Sequence, residues 1–173
     1  MISHRKYCER ALERFKDTQD AFVAERMAKD CLTVPPNEAS LVAANRLAST
    51  AVKLSPTSHF TQFVNGLAEY RQAHFEKAID QMEKVLPMRK NSPNHYAQAW
   101  AVLALARHRL KENAKALEAV EEAEKAVERG APDAAKGDLG PDLIDWIFAQ
   151  ALLKEASAAL QPLQQAKGDA AAR

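Results

Sequence analysis

Two cysteines, Cys8 and Cys31, and five histidines, His4, His59, His74, His95 and His108, are the side chains of this 173-residue sequence best suited to metal ligation or nucleophilic attack. Their spacing suits neither role. The cysteines form no C-x-x-C pair and no ligand cluster, so they read as packed free thiols in a reducing compartment, with a single structural disulfide as the alternative. The histidines are scattered and read as structural or solvated, with no metal site expected. A kinase needs a glycine-rich loop, a strand lysine and an H-R-D catalytic loop, and none is written here. Asp138-Leu139-Gly140 matches a metal-binding D-F-G only by letters and reads as a linker before a helix. No P-loop, G-x-S-x-G or H-E-x-x-H occurs. No catalytic residue, metal or cofactor is expected, and the chain is read as a non-enzyme.

Composition narrows the class further. Formal net charge is +1, which gives no overall electrostatic footprint for nucleic acid or an anionic membrane. Hydrophobic residues make up 47% and aromatics only 6%, much of the difference being alanine, which favours close helix–helix packing. The start, MISHRKYCERALERF, is charged and lacks the apolar core of a secretory signal. No run approaches the roughly 18 apolar residues that span a bilayer. A cytoplasmic protein, or a cytoplasmic module of a larger one, is the expectation.

Apolar periodicity then places the elements. Helices are expected near 4–15, 21–32, 37–54, 59–72, 75–88, 94–110, 113–129 and 141–160. Asp20, Asn37 or Glu38, and Thr57 or Ser58 stand where N-caps belong. Pro35-Pro36 and Ser55-Pro56 stop the second and third helices. Asn91 to Asn94 reads as a turn, and Pro141 suits a first helical position. The tail 162–173 reads as flexible.

Small residues recur across these helices at a fixed offset. Gly66 and Ala78 stand twelve apart, and so do Ala104 and Ala116. From Ala44 to Ala78 is 34 residues and from Ala78 to Ala116 is 38, which places an insertion in the Asn91–Asn94 turn. The first unit fits only with about four extra residues at Pro35-Pro36. Trp100, Leu103, Ala104, Ala116 and Ala123 match five offsets of a 34-residue helix-turn-helix signature, while Arg107 replaces its tyrosine.

These residues resemble the tetratricopeptide repeat family over roughly 20–129. The strings YCERALERFKDTQD, VAERMAKDCLTVPP, LASTAVKLSP, GLAEYRQAHFEKAI and DWIFAQALLKEA together resemble the C-terminal repeat region of planctomycete-type bacterial serine/threonine protein kinases. The resemblance implies an all-α, right-handed superhelical stack. It would comprise about three hairpins, near 20–56, 58–90 and 94–129, within a single domain 1–161 closed by helices at both ends. It implies a regulatory or scaffolding module, with the first helix of each hairpin lining a concave groove. Family register puts Arg26 and Lys29 there from the first unit, Phe63, Tyr70 and Arg71 from the second, and Gln98, His108 and Arg109 from the third.

The apolar members of that set, Phe63 above all, read more readily as core. The polar members have no packing role if they face a groove, and they would make it modestly basic. An acidic or C-terminal peptide is therefore the expected ligand. Chaperone tails are not, because the carboxylate-clamp positions read Glu25, Lys29, Val64, Gln98 and Val102. The alternative function is an accessory or self-assembling subunit that uses exposed end faces. Tyr7, Cys8, Leu12 and Phe15 would form such a face on a helix cut from its hairpin, so the chain is expected as a monomer or a weak homodimer.

Overall fold

Side-chain caps start the helices where the sequence offers them. The Asp20 carboxylate accepts the N–H groups of Phe22 and Val23 at 2.8 and 3.1 Å. Asn37 Oδ1 accepts from Ser40 N–H at 2.8 Å, and Ser58 Oγ from Phe60 N–H at 3.3 Å. Each satisfies a backbone donor that the helix itself leaves open, which is worth about 1 kcal/mol.

The computed structural model describes residues 3–133, 135, 140 and 142–171, with side chains through Gln165. Among these are eight α-helices and no strand: α1 His4–Phe15, α2 Ala21–Leu32, α3 Glu38–Leu54, α4 His59–Arg71, α5 Phe75–Arg89, α6 Pro93–Arg109, α7 Asn113–Arg129 and α8 Leu143–Ala171. Asp138, Leu139 and Pro141 lie outside the described residues. The chain divides into two compact units, Met1–Gln81 and Met82–Arg173, with the division inside α5.

In the first unit α2 packs on α3, and α4 packs on both. Helix α1 packs on α2 and α3. Alanines sit at the crossings: Ala24, Ala28, Ala44, Ala48 and Ala51 are all inaccessible. Their small volume lets backbones approach, and Leu32, Leu47, Phe63 and Leu67 fill the remaining space. In the second unit α6 packs on α7, and α8 packs on both. Residues 97–99 and 101–106 of α6 are all buried, as expected of a helix that is apolar all round. Ala97, Ala126, Val127 and Ala149 form one of its clusters, with Tyr96, Trp146 and Leu153 packed against it.

The two close hairpin turns have the same hydrogen bonds, 38 positions apart. After α4, Gln72, Ala73 and His74 donate to the carbonyls of Ala68, Tyr70 and Glu69. After α6, Leu110, Lys111 and Glu112 donate to those of Ala106, His108 and Arg107. Ala73 and Lys111 both take the left-handed conformation, at φ 63° and 65°. Neither is the glycine this region favours, so the pairing must hold each against a steric cost.

Two boundaries differ from expectation. The link from α5 to α6 is only Lys90–Ser92, so the extra residues do not enlarge that turn. They lengthen α6 instead, which has 17 residues against 13 in α4. Pro93 occupies its N-terminal turn, where the missing N–H is harmless. The α2–α3 link, Thr33–Asn37, is longer than the three-residue turns, but by two residues rather than about four. Finally, α8 continues through Pro162 to Ala171 rather than ending near 160. Proline penalises a helix interior without forbidding it, and the flanking Gln and Ala residues favour helix.

Candidate functional site

Phe22, Arg26 and Lys29 of α2 and its C-capping Thr33 fall at helical spacing on one face. At its start, the Arg26 guanidinium stacks over the Phe22 ring at 4.1 Å. Phe22 is 58% exposed, and Arg26 is exposed beside it. Arg26 makes no ion pair among the described residues, so its donors remain available to a ligand. A planar cation on an exposed ring is a platform suited to a carboxylate.

One turn further, the reading of Lys29 needs correction. It is not an open groove cation: its ammonium is buried and lies 3.6 Å from the buried Glu25 carboxylate. A buried charge must be paired, and Glu25 does this from the preceding turn. Arg71, from α4, reaches the far end of the same stripe. Its Nε and one terminal nitrogen donate to the carbonyls of Leu32 and Thr33 at 2.8 and 2.9 Å. These are carbonyls at the end of α2 that the helix leaves open, so Arg71 ties α4 to α2 as well as carrying charge. The guanidinium also lies 5.3 Å from the centre of the Tyr70 ring, which packs on Phe75 at 6.0 Å. From Arg26 to Leu32 is about 9 Å along the helix axis. The unit therefore offers two guanidinia along one helix face, one exposed and one half-buried. Phe63 is completely buried and belongs to the core.

The second unit treats its candidates differently. Gln98 is completely buried, and its amide donates to the Asp145 carbonyl of α8 at 2.9 Å. It is not open to a ligand, because α8 covers that face of α6. The additional α6 turn joins the same contact. His95 Nε2 lies 3.0 Å from Asp145 Oδ2, and Asn94 Nδ2 donates to the Asp142 carbonyl at 3.4 Å. His108 is half-buried and Arg109 exposed at the end of α6. Arg107, where a tyrosine was the expected residue, bonds Glu83 at 2.9 Å.

The end face is also corrected. Cys8 and Leu12 point inward and are buried, leaving only Tyr7 exposed and Phe15 half-exposed. The acidic side of α7 carries exposed ion pairs three residues apart: Lys115 with Glu112, and Lys125 with Glu122. Both cysteines are free. Among the described residues, no three His, Cys, Asp or Glu side chains could hold a metal, and no helix is long and apolar enough to cross a membrane.

Asp145, Asn94 and His95 escaped sequence reasoning. Only the charged and polar character of the α6 start hinted at them, since their partners lie about fifty residues away. No family model matches the chain, and no curated protein matches it.

Proposed function

We propose that this chain is a non-catalytic protein-interaction module of helix hairpins, and that its first unit holds an acidic peptide segment along α2 and α4. The exposed Phe22–Arg26 stack on α2 carries this reading. An unpaired guanidinium on an exposed aromatic ring has no evident packing role and is well formed to grip a carboxylate. The repeated turn geometry supports the hairpin part, because such repeats present their first helices as a recognition surface. The further proposal, that the module is the regulatory region of a bacterial signalling kinase, rests on the sequence resemblance alone.

The test uses an extended, proline-containing peptide of Asp and Glu with a free C-terminus. Isothermal titration should give saturable binding that weakens with salt. Arg26→Glu should weaken it at least about tenfold, the loss expected for one charge-assisted contact. Both parent side chains of the stack are exposed, so the fold should survive, and circular dichroism checks that it does. Binding unchanged by Arg26→Glu, or no binding at all, overturns the reading.

A further inference from the structure

Helix α1 has a second face that the other described residues of the first unit leave open. Beside it lies an open cleft of about 1080 Å³, lined by Tyr7, Ala11 and Phe15 of α1 and by Met27 of α2. Charged residues of α1 form its rim: Glu9, Arg10, Glu13 and Arg14. Arg5 already pairs with Glu9 at 3.1 Å, and Lys16 with Glu13 at 2.6 Å. Arg10 makes no ion pair among the described residues. Arg14 makes none either, and approaches only the Phe15 ring, at 5.7 Å. The two arginines are four apart, hence neighbours on one side of the helix. The cleft thus combines an apolar floor with an uncompensated positive edge.

We propose that this cleft docks an amphipathic helix of a partner protein, one whose apolar stripe is flanked by carboxylates. From Tyr7 to Phe15 the floor runs about 12 Å, the length of roughly two helical turns. An extended segment fits less well. The described residues hold no strand edge to complete its backbone hydrogen bonds, whereas a helix satisfies its own. The flanking carboxylates answer Arg10 and Arg14. A second copy of this chain is disfavoured. Its exposed apolar pair on α8, Ile144 and Ile147, is bordered by Lys154 as much as by Glu155, so it offers the arginines no uniformly acidic flank. Helix α7 is acidic, but its apolar side is already buried.

The probe is a fluorescein-labelled 16-residue helical peptide with a leucine stripe flanked by glutamates, read by anisotropy. A matched peptide with lysines in place of the glutamates is the control. The intact chain should bind the glutamate probe saturably and the lysine probe at least about tenfold more weakly. Arg10→Glu with Arg14→Glu, both at exposed positions, should reverse that preference. Arg26→Glu should leave it unchanged, which separates this site from the peptide-binding face on α2. Equal binding of the two probes, no saturable binding, or a double variant that keeps the original preference overturns the proposal. So does tighter sedimentation with phosphatidylglycerol vesicles than with the probe, which would make the cleft a membrane contact. Concentration-dependent self-association lost in the double variant would assign it to a second copy.

Discussion

The two thiols show how burial governs reactivity at the scale of single residues. Burial pushes both Cys8 and Cys31 above the ordinary thiol range. For Cys31 the hydrogen bond to Cys8 and the charge of Asp30 push in the same direction. The thiolate is the nucleophile, so both should be protonated and slow at neutral pH. Iodoacetamide should label the native protein far more slowly than the urea-unfolded chain at pH 7, and native labelling should rise only at alkaline pH. Fast native labelling at pH 7 would contradict this environment. Asp30 gives a second test. Burial raises its pKa, against the opposing effect of Tyr7 O–H, which donates to Oδ2 at 3.2 Å. A carboxyl raised in the folded state favours folding most when protonated, and that advantage is lost as pH rises through the acid range to its folded value. Asp30→Asn should therefore stabilise the protein at pH 7, with a gain that shrinks on acidification. Urea unfolding that shows equal or lower stability at pH 7 would refute it. Residue types and faces were legible in the sequence, but occupancy was not. Lys29 and Gln98 look alike as polar groove positions until Glu25 and Asp145 are seen beside them.

At the scale of elements, α8 depends on the additional turn of α6. Asn94 and His95 exist as helix only because the inserted residues extend α6 rather than loop out. Asp145→Ala removes the carboxylate beside buried His95 and should cost about 1–3 kcal/mol, measurable by denaturant unfolding. Gly130, at the end of α7, completes the arrangement. A Cβ there would stand 2.0 Å from Asn94 Oδ1, so Gly130→Ala must displace the amide that reaches Asp142. A cost of about 1–3 kcal/mol is expected. The penalty should be smaller when Gly130→Ala is introduced into Asn94→Ala, where the obstructing group is gone; strictly additive losses would contradict the close approach. Helix positions were readable because each apolar face and capping side chain is local. The insertion was misplaced because Asn-Ser-Pro-Asn is equally good turn chemistry and helix-start chemistry. The end of α8 was misplaced because Pro162 reads as a stop, although its penalty is finite.

At the scale of the whole molecule, the central claim is that recognition belongs to α2 and α4 of the first unit. The repeated turns at Gln72–His74 and Leu110–Glu112 were foreshadowed by the twelve-residue spacing of small residues. The division into two units was not, because periodicity runs through α5 without a break. The proposed ligand could be read only as a class, since a basic face suggests the charge of a ligand and not its identity. The most direct measurement is a two-dimensional amide NMR titration of the intact chain with the extended acidic peptide. The account predicts saturable shifts centred on α2 from Phe22 to its C-cap Thr33, suppressed in Arg26→Glu. Saturable shifts confined to α3 or α7, with α2 unmoved, would contradict it.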